Sequence, residues 1–473
     1  MSSPVGRYRP APRFPSLGDG FSDVVRPASF PRHKQRFRNA RAAASVGLDG
    51  LDDAAWERHF AAFEPLPDNL REPLALRYHG HQFGVYNPAL GDGRGFLFAQ
   101  LLDDRDRLLD LGTKGSGQTP WSRGGDGRLT LKGGVREVLA TEMLEALGVP
   151  TSRSFSLFET GESLVRGDEP SPTRSSVLVR LSHSHVRFGT FQRLAHDKDG
   201  ARMRRLLGYS LEHLLPGAEG THDDDAAFLR AVARRSADLC AAWTVAGFVH
   251  GVLNTDNMNI TGESFDYGPY RFLPTYDPDF VAAYFDSTGL YAFGRQPETV
   301  AWNLTRLAAA LRIVSEDDAA LGAALGDYEP AFRAAMRARL LARLGLESLG
   351  ADEDDRLVGA VFDFLEQIAI PFEQLFFDWF GGAPSEARAL RGPVADAYAS
   401  EHFQVVHHAL IRHPTRPDVR DRLAGSAYFA RRGPCGLLID EVESIWDAIA
   451  ARDDWSAFED KLRAIDEMRV ALA

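Results

Sequence analysis

The feature that most constrains this chain is an eight-residue loop rich in side-chain oxygens. It runs from His250 to Asn257 (HGVLNTDN), and an Asp-Tyr-Gly triplet begins at Asp266, nine residues after Asn257. An amide and a carboxylate are oxygen ligands of the kind that Mg²⁺ uses when it bridges phosphate groups. A loop capped by an Asx-turn is the ordinary alternative, but the His-Gly start and the Asp-aromatic-Gly triplet together favour a metal site. The sequence therefore predicts that Asn257 and Asp266 bind a metal ion together with a phosphate ligand.

Phosphotransferases of the kinase type carry a similar loop, in which a catalytic Asp precedes the metal-binding Asn by five residues. That position is Val252 here, so the carboxylate that would orient a substrate hydroxyl is replaced by an aliphatic side chain. Asp256 is the nearest replacement, and it could accept a proton from an attacking hydroxyl. The pattern predicts either a catalytically silent kinase-like protein or an enzyme that performs different chemistry on the same nucleotide.

A lysine and a glutamate upstream fit the same interpretation. Lys114 ends a strand predicted over 107–114, and Glu137 lies 23 residues later, inside a helix predicted over 132–147. A kinase small lobe needs a strand lysine that touches phosphates and a helix carboxylate that holds it. The ordinary alternative is a surface Lys–Glu pair, which contributes little. The glycines of the preceding turn, residues 91–94 (GDGR), would let backbone N–H groups approach phosphate, although such a turn alone often only closes a hairpin.

A second basic cluster is unusual for a kinase. Arg180 ends a strand predicted over 176–181, and Arg187 follows seven residues later. Together with Lys114 they carry more positive charge than one terminal phosphate group needs. Guanidinium groups form paired hydrogen bonds with phosphate oxygens, whereas pairing with acidic side chains is the structural alternative. The cluster indicates a phosphate-binding site.

The order of predicted elements indicates an α+β chain with the two-lobe layout of protein kinases. A small mixed lobe with an antiparallel sheet is predicted over residues 75–193, and a larger, mostly helical lobe over 194–473, with the catalytic-type loop at 250–268. Residues 1–74 are predicted to be an N-terminal extension that wraps the surface, and the first fifty residues are expected to be irregular. The acidic run at 352–355 is predicted to be a solvated turn.

Charge and cysteine content narrow the classes of partner and compartment. The net charge of −12 argues against nucleic acid or an anionic membrane as the main partner. No apolar run reaches the ~18 residues of a membrane span. Cys240 and Cys435 lie far apart and form no metal-binding or disulfide pattern, which favours a reducing compartment and hence the cytoplasm. No motif indicates an oligomeric state.

Several stretches together resemble the selenoprotein O family, the SelO or YdiU proteins. The resemblance implies a protein-kinase-like fold with protein adenylyltransferase activity, in which ATP binds in reverse and AMP is transferred to Ser, Thr or Tyr hydroxyls. Mg²⁺ or Mn²⁺ is the implied metal, and ATP and acceptor proteins are the implied partners. The matching stretches, in order over roughly residues 75–310, are YHGHQFG, NPALGDGRG, LGTKGSGQTPWSRGGDGR, VREVLATEMLEALGVPTSR, VRLSHSHVRFG, HGVLNTDNMNI, FDYGPYRF and FGRQPETVAWNL.

The resemblance also implies a role for each matching residue. Asp256 is the implied proton acceptor, Asn257 and Asp266 are the implied metal ligands, and Glu137 is the acid that pairs with the lysine. Reversal of ATP would explain the extra arginines, because the γ-phosphate then points inward and the α-phosphate faces the acceptor. The implied nucleotide contacts are Gly91, Gly93, Arg94, Lys114, Asp126, Gly127, Arg180 and Arg187, completed by Glu137 and Asp266.

Three functions remain open at this point. The first is AMP transfer from ATP to a protein hydroxyl, with UTP as a possible alternative donor. The second is conventional phosphotransfer to a protein or a small molecule. The third is a catalytically silent ATP-binding scaffold, which the aliphatic Val252 supports. Retention of the metal-ligand pair argues against this third function, because a silent protein is free to lose both ligands.

Overall fold

A computed structural model describes residues 7–167, 169–218 and 224–473. The predicted α+β fold is confirmed, with an antiparallel sheet in one lobe and helices in most of the remainder, consistent with a two-lobe kinase-like arrangement. The strands are β1 (Ser22–Val24), β2 (Lys34–Arg38), β3 (Leu74–Leu76), β4 (Gly80–Gln82), β5 (Val85–Asn87), β6 (Leu97–Leu102), β7 (Leu108–Lys114), β8 (Leu129–Thr130), β9 (Arg153–Leu164), β10 (Thr173–Ser182), β11 (Phe248–Val249) and β12 (Arg271–Phe272).

Helices account for most of the chain after β10. Within the described ranges, no helix is long and apolar enough to cross a bilayer. The helices are α1 (Ala40–Ser45), α2 (Asp53–Phe60), α3 (Leu131–Ala146), α4 (Phe188–His196), α5 (Gly200–Tyr209), α6 (Asp225–Val245), α7 (Gln296–Leu311), α8 (Asp318–Gly326), α9 (Tyr328–Leu344), α10 (Ala351–Gln367), α11 (Phe372–Asp378), α12 (Glu386–Ala389), α13 (Ala395–Tyr398), α14 (Glu401–Arg412), α15 (Pro417–Gly425), α16 (Ile439–Arg452) and α17 (Ser456–Leu472).

The main sheet has the order β1-β3-β6-β7-β10-β9-β2, and β8 also pairs with β10. Its central strands β7 and β10 are antiparallel, with Lys114 opposite Leu178 and Gly112 opposite Arg180. Residues that lie opposite each other share a face of the sheet, and so do residues two apart on one strand. Lys114 and Arg180 are therefore diagonal neighbours on one face. The register places the two predicted phosphate-binding cations side by side.

The expectation of an irregular N-terminal segment is wrong for the described residues. β1 pairs with β3 at one edge of the main sheet, and β2 pairs with β9 at the other edge. β2 reads Lys-Gln-Arg-Phe-Arg, which looks too polar for a strand. Its charge is balanced across the strand pair, because Arg36 Nε donates a hydrogen bond to Glu159 of β9 at 2.8 Å. The first described residues thus supply both edges of the sheet.

Trp56 of α2 anchors the face of the sheet that points away from α3. Its side chain is fully buried and stacks on Phe155, with ring centroids 5.0 Å apart and planes 19° apart. The indole N–H donates to the Ser156 hydroxyl at 3.1 Å, so the one polar atom of the ring is satisfied. Helix α2 is therefore part of the core on this side of the sheet.

Replacement of Trp56 by alanine is expected to destabilise the protein by about 3–5 kcal/mol, because it leaves a large cavity under α2. Thermal unfolding followed by circular dichroism measures the effect, and Trp56→Phe should cost less because it preserves the stack on Phe155. Val165→Ala provides a control at a side chain that is 79% exposed. An unchanged unfolding temperature for Trp56→Ala would contradict a structural role for α2.

The large lobe holds the loop 250–268 at both ends. β11 pairs with β12, with Phe248 opposite Phe272, so the chain on either side of the loop is joined. Helix α7 contributes Gln296, whose side chain accepts from the backbone N–H of His250 at 3.0 Å. Asn303, on the same helix, donates to the Leu253 carbonyl at 2.8 Å. Buried amide side chains thus fix the backbone of a loop that has little regular structure.

The prediction of a solvated turn at 352–355 is wrong, because these acidic residues form the N-terminal end of helix α10. Carboxylates at a helix N-terminus interact favourably with its unpaired N–H groups. Asp354 is buried and accepts a hydrogen bond from the backbone N–H of Leu349 at 3.0 Å. The helical spacing of the buried Leu357 and Val361 was the sequence signal that the charge run obscured.

Candidate active site

A cleft of about 620 Å³ lies where the main sheet faces the loop 250–268. Among the predicted site residues, Glu137 alone is absent from its lining, because it lies buried behind Lys114. The cleft brings together residues that are far apart in the sequence. Those predicted residues that line it are Gly91, Gly93, Arg94, Lys114, Asp126, Gly127, Arg180, Arg187, Asp256, Asn257 and Asp266.

Lys114 lies between two carboxylates at the inner end of this cleft. Its ammonium group contacts Glu137 of α3 and also contacts Asp266 of the Asp-Tyr-Gly triplet. Lys114 is 6% exposed and Glu137 only 1% exposed, so the pair is shielded from solvent. The spacing of 23 residues thus corresponds to a real strand-to-helix ion pair.

Asp266 is kept ionised by its neighbours. Burial alone would raise the pKa of its carboxyl, but the positive charges of Lys114, Arg180 and Arg94 outweigh burial and hold that pKa well below its usual range. Asp266 also has a positive φ of 68°, in the left-handed region that costs free energy for a residue with a side chain. An ionised carboxylate in a strained backbone conformation is consistent with a ligand-binding role.

Arg180 and Arg187 meet over one aromatic ring. The guanidinium carbons lie 5.9 Å and 4.9 Å from the ring centroid of Phe265. Arg180 Nη1 is 3.7 Å from Asp266, outside hydrogen-bonding distance. Among the described residues, Nε and Nη1 of Arg180 and Nε of Arg187 have no hydrogen-bond partner although they are buried. Buried, unpaired donors on two cations indicate a site that receives an anion.

Arg187 is held in place by two residues, Asp92 and Tyr78, to which the sequence interpretation gave no role. Its Nη2 donates to Asp92 Oδ1 at 3.2 Å, and its guanidinium carbon lies 4.3 Å from the ring centroid of Tyr78. Asp92 is held in turn by the backbone N–H of Leu76 at 3.1 Å. The sequence signal for a role of Asp92 was its place between Gly91 and Gly93, because neither glycine can supply a side chain to that turn.

Asp256 faces the cleft from a buried position and is 7% exposed. Burial raises the pKa of its carboxyl to about 6, against the opposing charge of Arg187. Its Oδ1 is buried and finds no hydrogen-bond partner within the described ranges. The backbone carbonyl of Asp256 accepts from Arg187 Nη1 at 3.0 Å, which ties this residue to the cationic cluster. The geometry suits a carboxylate that receives a proton from a group bound in the cleft.

Asn257 and Asp266 offer oxygen atoms to the same space. The side-chain nitrogen of Asn257 donates to the carbonyl of Val252 at 3.0 Å, so its oxygen is the atom left for a ligand. One amide oxygen and one ionised carboxylate, with phosphate oxygens and water to complete the shell, are the donor set typical of Mg²⁺. The residues present therefore fit a divalent metal ion such as Mg²⁺ or Mn²⁺.

His250 has a structural role rather than a chemical one. It is 1% exposed, and burial lowers the pKa of its imidazole, so the ring is neutral. With the proton on Nε2, the ring donates to the Phe265 carbonyl at 3.0 Å. The start of the loop is thereby joined to the residue before Asp266.

The glycines at the rim of the cleft have a packing reason. A Cβ at Gly91 would lie 2.4 Å from the Trp121 ring, and one at Gly93 would lie 2.9 Å from the Trp121 carbonyl. The loop that carries Trp121 continues to Asp126, whose carboxylate accepts from Arg166 at 2.8 Å and 3.0 Å. Contact between this rim and a nucleotide remains a prediction.

Gly127→Ala is expected to disturb the rim of the cleft and to weaken ATP binding about tenfold. Gly127 has φ +69°, and its Cβ would lie 2.2 Å from the Gly117 backbone, so both conformation and space exclude a side chain. Strain of this kind costs roughly 1–3 kcal/mol. Gly124→Ala is a matched control, because Gly124 has φ +80° and open space. Calorimetric titration with ATP compares them, and equal affinities for the two variants would contradict this role of Gly127.

The comparisons with known proteins agree with one another. The family model described as "Protein adenylyltransferase SelO" matches residues 6–466. A relative from Synechocystis sp., named "Protein nucleotidyltransferase YdiU", is 44% identical over 98% of this chain and 99% of its own length. A relative of the same name from Gloeobacter violaceus is 46% identical over 96% of this chain and 93% of its own length. A third of that name, from Thioalkalivibrio sulfidiphilus, is 37% identical over 85% of this chain and 82% of its own length.

Proposed function

The chain belongs to the SelO family and is a nucleotidyltransferase, and from that premise we propose that it transfers AMP from ATP to Ser, Thr or Tyr hydroxyls of acceptor proteins. Pyrophosphate is the second product. The observation that carries the proposal is the buried cluster of Lys114, Arg180 and Arg187, in which both arginines keep donors that have no hydrogen-bond partner among the described residues.

The cationic cluster determines which phosphorus atom faces the acceptor. When the β- and γ-phosphates bind Lys114, Arg180 and Arg187 at the inner end of the cleft, the α-phosphate lies nearer the loop that carries Asp256. Negative charge that develops on the departing pyrophosphate is then stabilised by cations already in place. A kinase holds ATP the other way round, with the γ-phosphate towards its acceptor. Val252, which cannot act as a base, is consistent with this difference.

Asp256 is the proposed general base. The acceptor oxygen forms a bond to the α-phosphorus, the bond from that phosphorus to the bridging oxygen breaks, and pyrophosphate leaves with the electron pair. The hydroxyl proton passes to the Asp256 carboxylate, whose Oδ1 has no other partner among the described residues. Within residues 250–257, where position 252 is a valine, Asp256 is the acid that lines the cleft.

Asn257 and Asp266 are the proposed metal ligands. A divalent ion bound there would neutralise charge on the phosphates and help to orient them. Asp266 is ionised without any metal, because its pKa is held low by neighbouring cations. Lys114 contacts the same carboxylate, so it competes with a metal for that group unless Glu137 draws it away.

Parallel incubations with α-labelled and γ-labelled ATP test the function directly. Label from the α position should enter the acceptor protein, and label from the γ position should leave as pyrophosphate. Label transferred only from the γ position would establish a conventional phosphotransferase instead. Metal-dependent ATP binding without any transfer, tried with a protein mixture as acceptor, would establish a silent scaffold. Unlabelled UTP as competitor reports whether the site also accepts another nucleotide.

Chelation of divalent metal ions is expected to abolish transfer. Both proposed protein ligands are oxygen atoms, so either Mg²⁺ or Mn²⁺ should restore the reaction. Transfer measured in excess EDTA, and again after each ion is added back, provides the readout. Full activity in EDTA would remove Asn257 and Asp266 from the proposed metal site.

The proposed compartment is the cytoplasm. Cys240 and Cys435 are both buried free thiols. Burial raises the pKa of the Cys240 thiol to about 12, so this residue is unreactive in the native state. Free buried thiols are common in proteins of reducing compartments.

A further inference from the structure

Helix α3 presents two different surfaces. Glu137 points to Lys114 in the cleft, whereas Lys132 and Arg136, one turn apart, point away from it towards the C-terminal helices. Glu142 and Glu145 continue that outer surface towards the end of the helix. The outer surface makes no contact with the cleft, yet it is charged and paired along its length.

The C-terminal helices α16 and α17 supply the partners of this outer surface. Glu443 of α16 accepts from Lys132 at 2.6 Å and lies 3.4 Å from Arg136. Arg469 of α17 pairs with Glu142 at 2.6 Å. Each end of α3 is therefore tied to a different helix of the C-terminal pair, so that displacement of α3 in either direction breaks an ion pair.

Arg136 extends this network to the metal-binding turn. Its Nη2 donates to the carbonyl of Gly268 at 3.1 Å, and its own carbonyl accepts from the Tyr270 hydroxyl at 3.0 Å. The guanidinium carbon lies 4.9 Å from the ring centroid of Tyr270. One arginine thus joins Glu443, helix α3 and the segment that follows Asp266.

The junction between the two C-terminal helices is fixed to the main sheet. Asp453 lies between α16 and α17 and pairs with Arg36 of β2 and Arg174 of β10, each at 2.7 Å. The helices also bury apolar side chains in the large core, among them Ile445, Phe458 and Ile465. Helices α16 and α17 are thus held by ion pairs to α3, by ion pairs at their junction and by apolar packing.

We propose that α16 and α17, residues 439–472, form a C-terminal clamp that positions Glu137 against Lys114 and thereby keeps Asp266 available to the metal. Glu443 is the central positioning residue of this clamp, although it lies outside the cleft. Lys114 is shared between two carboxylates, so withdrawal of α3 would leave it with Asp266 alone. The lysine would then compete more strongly with the metal ion.

Glu443→Lys tests the clamp in the full-length protein, because it places like charge beside Lys132 and Arg136. Exposed and half-exposed ion pairs are individually weak, so the fold should survive while the position of α3 changes. We expect hydrogen exchange of the α3 amides to become about tenfold faster, since loss of outer contacts favours local opening. The metal concentration for half-maximal nucleotide binding should rise about fivefold to tenfold, as a competing ion pair worth roughly 1 kcal/mol predicts.

Three comparisons make the result specific. Glu459→Lys makes the same charge change at an exposed position of α17, away from Lys132 and Arg136, and should leave both readouts unchanged. Lys132→Glu in the Glu443→Lys background restores an opposite-charge pair and should recover part of both losses. Should Glu443→Lys fail to fold, Glu443→Ala carries the test with the same two readouts. Wild-type α3 exchange and wild-type metal dependence in the folded Glu443 variant would overturn the clamp.

The inference rests on the proposed function for the identity of the metal-nucleotide site. Its two readouts, amide exchange and metal-dependent nucleotide binding, do not depend on which phosphorus atom is attacked. Transfer from the γ position would therefore overturn the proposed function and leave the clamp standing. Unchanged hydrogen exchange of the α3 amides in the Glu443 variant, together with normal transfer from the α position, would overturn the clamp and leave the proposed function standing.

Discussion

Asp256→Asn is expected to lower the turnover of AMP transfer about 10²- to 10⁴-fold, the range that general base catalysis contributes. The substitution keeps the size of the side chain and removes only its ability to accept the hydroxyl proton. ATP affinity should stay within about twofold, because the contacts proposed for the triphosphate come from Lys114, Arg180 and Arg187. Turnover is measured with α-labelled ATP at saturating acceptor, and affinity by calorimetry.

Asp104→Asn is the control for that experiment, because Asp104 is an exposed acid in the turn between β6 and β7. It should behave as the wild type in both assays. If Asp256→Asn turned over at the wild-type rate, Asp256 would have no part in proton transfer. If it lost ATP binding in the same proportion as turnover, the residue would belong to the nucleotide site and not to the chemical step.

Arg180→Met should raise the Kd for ATP about 10- to 100-fold, because hydrogen bonds to charged groups contribute roughly 1.5–3 kcal/mol. Methionine keeps much of the apolar stem and removes every donor. The affinity for AMP should change far less, since AMP lacks the phosphates that the arginine is proposed to bind. This difference between the two ligands separates a phosphate contact from general damage to the cleft.

Arg180→Lys adds a second comparison, because an ammonium group keeps the charge but cannot form the paired contacts of a guanidinium. It should fall between the wild type and Arg180→Met. Arg105→Ala, at an exposed arginine in the same turn as Asp104, serves as the control for loss of positive charge. Equal losses of ATP and AMP affinity in Arg180→Met would place the adenosine, and not the triphosphate tail, beside this residue.

The fold and most of the candidate site could be predicted from spacing. The 23 residues from Lys114 to Glu137 cover a strand end, a loop and two turns of helix, and the two side chains do meet. Arg180 was predicted as a phosphate ligand on the strength of its residue type and its place at a strand end. The register of β7 with β10 places Arg180 beside Lys114. Register depends on both strands, so it could not be predicted from the sequence of either strand alone.

The residues that were missed are those whose signal is nonlocal. Asp92 is a positioning residue because its carboxylate accepts a hydrogen bond from Arg187, which lies 95 residues later in the sequence. The strand β2 lies in the segment that was expected to be irregular, because its acidic partners, Glu159 and Asp453, lie far along the chain. Ion pairs with such distant residues stabilise a polar strand. The composition and periodicity of the strand describe only the residues of the strand itself, so they do not reveal these partners.

The pairing of Arg36 with Asp453 has a consequence for protein synthesis. These two residues are separated by 417 positions yet lie 2.7 Å apart, so β2 leaves the ribosome long before its partner is made. A nascent chain can form the helical lobe and most of the sheet as separate units, since domains fold as they emerge. The outer ion pairs of α3 form only after α16 and α17 have been translated. A nascent chain that stops before α16 should therefore bind the metal–nucleotide complex more weakly than a chain that includes α17.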